Sequence, residues 1–255
     1  MKNIYIIGSG KIAFSISMAF KKSNINILGI YSRNKNTGEK LAKKTNSKFF
    51  KKIDIPKETD LIIICVPDDE IKNVAKKIKN TAIIHTSGCS DIKLLKKCSN
   101  NYGVIWPIQT FLQNKKVNFK NVPICIEANN IIFYEKLKHL FSFISNKIIK
   151  VNFKQRKLIH LSAVFSCNFS NYLYSVSEDL LSEEKLDFTI LKSLIIETTN
   201  NAFKYKPEKN QTGPAKRKDF GTIKKHLDLL SLKQKKEYFD IYNLITNNII
   251  KNHEN

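Results

Sequence analysis

The first 150 residues alternate short apolar runs with amphipathic stretches of helical length. This is the βαβ pattern of a parallel sheet that is covered by helices on both faces. The pattern predicts eight strands, at Asn3–Ile7, Ile27–Tyr31, Lys48–Phe50, Leu61–Val66, Ala82–His85, Gly103–Trp106, Val122–Glu127 and Lys147–Val151. The fourth strand is apolar at every position, so we expect it to be buried on both faces at the centre of the sheet.

Strand signals stop after about residue 152, and helical periodicity follows. It predicts helices at Lys154–Leu181, Leu186–Tyr205, Phe220–Leu230 and Leu232–Lys251. The segment KPEKNQTGPAKRKDFG between the second and third of these helices contains two Pro and two Gly and is expected to be a structured turn. The sequence therefore predicts the α/β fold class, with a Rossmann-type, mostly parallel sheet in residues 1–152 and an all-α domain in residues 153–255.

Composition narrows the class of protein. A chain of 255 residues with 42% hydrophobic side chains can bury a core in each of two such units. Its apolar runs are too short to cross a bilayer, and its N-terminus lacks the features of a signal peptide, so we expect a cytoplasmic protein without a membrane partner. The five cysteines contain no C-x-x-C pair, which indicates reduced thiols and no metal site.

The net charge of +22 would ordinarily suggest a nucleic-acid or membrane partner. However, the basic residues are 41 Lys and only 3 Arg, and the lysines are spread over the whole chain. Lys, Ile and Asn share AT-rich codons, so a drifting composition explains the charge and we expect no specific nucleic-acid partner. An arginine retained in such a composition is of interest, because its planar guanidinium can bind a carboxylate or phosphate through two hydrogen bonds and a lysine ammonium cannot.

The chain opens with a strand, then G-x-G-x-x-A at Gly8, Gly10 and Ala13, then a helix. Gly8 permits a tight turn, Gly10 lets a pyrophosphate approach the backbone, and the helix N-terminus supplies N–H groups to the phosphates. We therefore predict a dinucleotide site whose contacts include Gly8, Ser9, Gly10, Lys11 and Ile12. The alternative is a structural βα turn that binds nothing.

The second strand ends in Ser32 and Arg33, where an NAD site would place an acidic residue. A hydroxyl and a guanidinium suit a 2′-phosphate, so the sequence favours NADP over NAD; the alternative is an exposed arginine on a loop. Ligands of open α/β sheets lie beyond the carboxyl ends of the strands. The next two strand ends therefore add Val66, Pro67, Thr86, Ser87 and Gly88 to the predicted cofactor contacts.

The motifs GSGKIA, VPDDEI, HTSG, WPIQTF, RKLIHLSAVFSCNFSNYLY and QTGPAKRKDFGTIKKHL together resemble a family of Rossmann-like oxidoreductases over nearly the whole chain. The C-terminal half of that family is a domain of unknown function. The family resembles pyrroline-5-carboxylate reductase, ketopantoate reductase and the 6-phosphogluconate dehydrogenase group. The resemblance implies an NADP-dependent reductase that dimerises through its helical domain. One departure is Trp106, since the family often has a histidine there.

Two sets of residues in the predicted helical domain could act on a substrate. In the first, Arg217 would hold a carboxylate or phosphate, Asp219 would cap the following helix and His226 would donate a proton. Alternatively, Arg217 pairs with Asp219 and His226 is a surface residue.

The second set lies on the first predicted helix, where His160 and Asn168 are spaced i, i+8 and so share a face. Asn168 would orient the substrate and His160 would be the acid instead of His226. The related dehydrogenases carry a lysine four residues before this asparagine, but Val164 stands there. The alternative is that both are polar residues at an interface.

The predicted function is NADP-dependent reduction of a C=O or C=N bond in a small anionic substrate, held in the cleft between the domains. By analogy with the family, the substrate would be a ketopantoate-like 2-oxo acid or a cyclic imine. The alternative is a non-catalytic dinucleotide-binding sensor or scaffold.

Overall fold

The computed structural model describes residues 1–112 and 117–253, which form two compact units, Met1–Val164 and the chain from Phe165 onward. Within the described residues the first unit holds one eight-stranded sheet in the order β3-β2-β1-β4-β5-β6-β7-β8. Its strands are β1 Asn3–Ile7, β2 Asn26–Tyr31, β3 Lys48–Phe50, β4 Leu61–Ile64, β5 Ile83–His85, β6 Tyr102–Pro107, β7 Ile124–Ala128 and β8 Ile148–Lys150. Neighbouring strands are parallel, except that β6 and β7 are antiparallel.

Helices cover both faces of this sheet. They are α1 Lys11–Lys22, α2 Lys35–Thr45, α3 Asp68–Ala75, α4 Ile131–Ser142 and α5 Phe153–Ala163. Alternate residues of β1 face two different cores, with Ile4 and Ile6 on one side and Tyr5 and Ile7 on the other. All four residues of β4 are buried between β1 and β5. The predicted Rossmann-type sheet and its central strand are therefore confirmed.

The second unit is helical, as predicted. Its helices are α6 Ser170–Ser182, α7 Lys192–Lys204, α8 Phe220–Leu232 and α9 Lys236–Asn252. The single helix predicted over Lys154–Leu181 is interrupted, because a π-helical turn at Val164–Phe169 stands between α5 and α6. A π-helical turn has a wider hydrogen-bond spacing than an α-helix. The prediction that His160 and Asn168 share a helix face assumed α-helical spacing throughout. That spacing does not apply across the π-helical turn, so this prediction is corrected.

The boundary between the compact units also differs from the sequence-based one. The sequence predicts a division at 152/153, whereas α5 packs with the sheet and the first unit ends at Val164. The physical reason is Arg156 on α5, whose side chain is fully buried against the loop that follows β5. Strand signals end before this helix, and periodicity alone does not show which unit a helix joins.

Within the described residues, the helices are too short or too polar to span a membrane.

Candidate functional site

A cleft of about 560 Å³ opens where β1, β2 and β4 end at the carboxyl edge of the sheet. We call it the carboxyl-edge cleft. Eight of the twelve predicted cofactor contacts line it, namely Gly8, Ser9, Gly10, Lys11, Ser32, Arg33, Val66 and Pro67. Ile12, Thr86, Ser87 and Gly88 are not among the residues that line it. The last three of these are buried in the loop after β5.

The turn between β1 and α1 requires glycine at its first position. Gly8 has a φ of +119°, and a Cβ there would lie 2.1 Å from the carbonyl oxygen of Cys65. A Cβ at Gly10 would meet no atom within 4 Å, so this position is open. Gly10 immediately precedes α1 and lines the cleft. The free N–H groups at the start of α1 are therefore placed to bind an anion in the cleft.

Three hydroxyl groups meet beside this turn. The Ser9 Oγ lies 2.7 Å from the Ser32 Oγ and 2.6 Å from the Thr37 Oγ1. Asn34 caps α2 by accepting a hydrogen bond from the Thr37 N–H at 3.1 Å. Ser9, Ser32 and Thr37 form what we call the hydroxyl cluster. Thr37 was not among the residues predicted from the sequence, although Asn34 is of a type preferred at the N-cap and so indicates a helix N-terminus here.

Arg33 adds a positive charge to the lining of the cleft. Its Nη1 lies 3.4 Å from the Glu70 Oε2, and the side chain of Arg33 is 67% exposed. Such an exposed pair contributes at most about 1 kcal/mol, so the guanidinium can exchange this partner for another anion. Lys40 and Lys44 on α2 also line the cleft, and neither was predicted from the sequence. The end of β2 therefore presents positive charge and hydroxyl groups to the cleft.

The side chain of Ser87 holds the conformation of the loop Thr86–Ser90, which we call the β5 loop. The Ser87 Oγ donates to the Asp68 Oδ2 at 2.6 Å and accepts from the N–H groups of Cys89 and Ser90. The Ser87 N–H donates to the Nδ1 of His85 at 3.1 Å. Burial, with a smaller effect of the Arg156 charge, lowers the pKa of His85 to about 3. His85 is therefore a neutral ring that accepts at Nδ1 and carries its proton on Nε2.

Arg156 binds the same loop from α5. Its Nη1 donates to the carbonyl oxygens of Ser87, Gly88 and Ser90 at 3.0, 3.0 and 2.9 Å. Its Nη2 donates to the Glu127 Oε2 at 2.8 Å. The side chain of Arg156 is 0% exposed. The sequence indicated only that retained arginines are of interest, and nothing in it paired Arg156 with the β5 loop.

His160 lies one turn further along α5, against the β5 loop. Its ring centroid is 5.5 Å from that of Trp106. A Cβ at Gly88 would lie 2.7 Å from the His160 Cδ2 and 3.0 Å from the Trp106 Cε2. His160 is half-buried at this position. The structure thus brings His160, Trp106 and Gly88 together at the carboxyl end of β5 and β6.

In the second unit, Asp219 caps α8. Its Oδ1 accepts from the Thr222 N–H at 3.0 Å and its Oδ2 from the Thr222 hydroxyl at 2.8 Å. These bonds, with a smaller effect of the Arg217 charge, lower the pKa of Asp219. The Nδ1 of His226 lies 2.8 Å from the hydroxyl of Tyr242, a partner that the sequence did not indicate.

Arg217, His226 and Asn168 are exposed. Asn168 lies in the π-helical turn. Among the residues that the structure describes, no group of His, Cys, Asp and Glu side chains is placed to hold a metal ion.

The sheet, its glycine turn and the carboxyl-edge cleft define a Rossmann fold of the NADP oxidoreductase type. Residues 3–87 match the family model described as "NADP oxidoreductase coenzyme F420-dependent". Residues 122–249 match the domain of unknown function DUF2520. The chain belongs to the DUF2520 family, which confirms the resemblance to Rossmann-like oxidoreductases with a C-terminal domain of unknown function.

Solved structures show the same fold. A putative NADP oxidoreductase from Bacteroides fragilis is 29% identical, with a TM-score of 0.88 and 98% of each chain covered. A 1-pyrroline-5-carboxylate reductase from Streptococcus pyogenes is 14% identical, with a TM-score of 0.64 and 98% of each chain covered. An imine reductase from Myxococcus stipitatus in complex with NADP+ is 12% identical, with a TM-score of 0.64, and the match covers 98% of this chain and 92% of that one. The last two share the fold alone. A search of curated proteins found no match.

Proposed function

We propose that this protein is an NADPH-dependent reductase of a C=N or C=O bond in a small anionic substrate, either a cyclic imine or a 2-oxo acid. The observation that carries the proposal is the carboxyl-edge cleft, in which the glycine turn before α1 faces Arg33 and the hydroxyl cluster. The names of similar structures support the reaction class, since they include an NADP oxidoreductase, an imine reductase and a pyrroline-5-carboxylate reductase.

The groups at the end of β2 suit the 2′-phosphate of NADP. The segment Ser32–Arg33–Asn34 has no carboxylate to accept a hydrogen bond from a free ribose 2′-hydroxyl. Instead, the hydroxyl cluster offers donors, and the Arg33 guanidinium offers a fork that matches a phosphate. We infer that Gly8–Lys11 hold the pyrophosphate and that Ser32, Arg33 and Thr37 hold the 2′-phosphate.

The variant Arg33→Gln tests this cofactor preference. A charge-assisted hydrogen bond is worth about 1.5–3 kcal/mol, so NADPH affinity should fall about 10- to 100-fold while NADH affinity changes little. Calorimetric titration of both nucleotides measures the two affinities. The matched control is Lys35→Gln, which removes one positive charge from an exposed pair with Glu39 outside the cleft lining. An equal loss of NADPH and NADH affinity in Arg33→Gln would contradict the assignment.

His160 is the proton donor that the geometry favours. It lies against Gly88 and Trp106 at the carboxyl edge of the sheet, in the same compact unit as the cleft. Bound NADPH would supply a hydride to the carbon of the C=N or C=O bond. Protonated His160 would give its proton to the nitrogen or oxygen, which leaves an amine or alcohol and a neutral imidazole that water reprotonates. Trp106 and Gly88 hold the ring in place.

We also propose that the protein is a homodimer formed through its helical unit. Among the described residues of that unit, the buried apolar side chains are Ala215, Ile223 and Leu230, whereas side chains such as Phe203 and Leu232 are 89% and 81% exposed. So small a core and so large an apolar surface are typical of an obligate interface.

The five free cysteines also fit a reducing compartment such as the cytoplasm.

Light scattering on the purified protein tests the dimer. We expect twice the chain mass of 29.4 kDa, and we expect the association to persist in high salt because apolar contacts are not screened. A mass of one chain at micromolar concentration, or dissociation by salt alone, would contradict it.

A further inference from the structure

We propose that Arg156 is a positioning residue. It holds the β5 loop so that Gly88 stays against His160, and the rate of the reduction step depends on this arrangement. The inference rests on the proposed function, because it concerns the group that donates the proton. Arg156 itself is not among the residues that line the carboxyl-edge cleft. Its effect would therefore fall mainly on the chemical step, and only weakly on nucleotide affinity.

The guanidinium joins three parts of the first unit. Its Nη1 binds three carbonyl oxygens of the β5 loop, and its Nη2 binds Glu127 at the end of β7. The side chain starts from α5, so one group connects this helix, the loop and the sheet edge. Glu127 balances the buried charge at 2.8 Å. A lysine could not reproduce this geometry, because its compact ammonium group lacks the planar fork that reaches the carbonyl oxygens and Glu127 together.

The loop depends on these bonds for its conformation. Ser87 and Gly88 are buried, and their carbonyl oxygens accept hydrogen bonds from the guanidinium, so its removal would take these bonds from buried residues. The same Ser87 holds Asp68 through its side chain, directly after Val66 and Pro67 of the cleft. The β5 loop is thus tied on one side to the cleft-lining turn after β4 and on the other side to α5.

Gly88 of the β5 loop packs closely against the His160 ring. Gly88 lacks a side chain at the place where a Cβ would come 2.7 Å from the His160 Cδ2. Arg156 and His160 are four residues apart on α5 and so lie on the same helix face. A change in the Arg156 bonds would therefore move the loop against the imidazole, or the helix that carries it. Displacements of about 1 Å can reduce a catalytic rate by about 100-fold.

The conservative variant Arg156→Lys tests the proposal. With the substrate that the wild type reduces, we expect kcat to fall about 10- to 100-fold while the Kd for NADPH stays within about twofold. A second readout needs no substrate, because Trp106 is the only tryptophan and lies against His160. In Arg156→Lys, acrylamide should quench its fluorescence more strongly than in the wild type. The control is Lys154→Gln, an exposed cation on the same helix, which should match the wild type in all three measurements.

A purely structural role would give a different pattern. It would lower the yield of folded protein or the unfolding temperature, but leave kcat per folded chain and Trp106 quenching as in the wild type. That result would overturn the proposal, as would a parallel loss of kcat and NADPH affinity. If Arg156→Lys does not fold, Glu127→Gln loosens the other end of the fork and should give the same pattern with a smaller loss of kcat. If the wild type reduces no substrate, the proposed function fails, and the Trp106 measurement still decides the positioning role.

Discussion

Replacing His160 with phenylalanine is expected to reduce kcat about 100- to 10,000-fold, which is the usual contribution of a positioned general acid. Phenylalanine keeps an aromatic ring against Trp106 and Gly88, so the packing of α5 on the β5 loop should persist. NADPH affinity should be unchanged, because His160 is not among the residues that line the carboxyl-edge cleft. Steady-state kinetics and calorimetric titration of the same preparation measure the two quantities.

The rival acid provides the matched control. His226 hydrogen-bonds to Tyr242 in the helical unit, and the variant His226→Phe should retain kcat within about threefold if His160 is the donor. A large loss in His226→Phe combined with near-normal kcat in His160→Phe would transfer the role to His226. Large losses in both variants would contradict the assignment of a single donor.

The second large effect concerns stability and pH. His85 is fully buried, and burial lowers its pKa from 6.5 to about 3. Below about pH 6.5 the unfolded chain binds a proton that the folded chain excludes, so acidification favours unfolding. The free energy of unfolding should therefore fall by about 2 kcal/mol between about pH 7.5 and about pH 5 through this group alone. The stability that neutral His85 provides is fully present above this range and is lost as the pH falls.

The variant His85→Asn isolates this contribution. The Asn side-chain oxygen can accept the Ser87 N–H as Nδ1 does, and it does not titrate. We expect a flatter dependence of unfolding free energy on pH in denaturant titrations of this variant. His139, an exposed histidine on α4, gives the control variant His139→Asn, which should keep the wild-type slope. Carboxyl groups whose pKa is lowered, such as Asp60, begin to lose their contribution only as the pH falls below about 5. A wild-type slope in His85→Asn would refute the linkage.

Local pattern was sufficient to predict the sheet and the glycine turn. The continuous apolar run at Leu61–Ile64 can be buried on both faces only in the middle of a parallel sheet. Gly8 was predicted to form a tight turn, and its φ of +119° agrees with that expectation. Ser32 and Arg33 were predicted to reach the cofactor because they stand at the end of the second strand, where an NAD site would place an acidic residue. Both side chains line the cleft.

Contacts between residues distant in sequence could not be predicted in this way. Arg156 binds Ser87, Gly88 and Ser90, which lie 66 to 69 positions earlier in the chain. Helical periodicity gave no sign of this contact, so the domain boundary was placed before α5. The π-helical turn was missed for a similar reason, because apolar spacing does not distinguish it from the α-helical turns beside it.

Consumption of NADPH by the wild-type protein in the presence of cyclic imines and 2-oxo acids is the most direct test of the central claim. We predict that at least one such compound is reduced, faster with NADPH than with NADH, and that one reduced product forms for each NADPH oxidised. Tight binding of NADPH without reduction of any compound in either class would contradict the reductase assignment. The protein would then be a dinucleotide-binding sensor or scaffold.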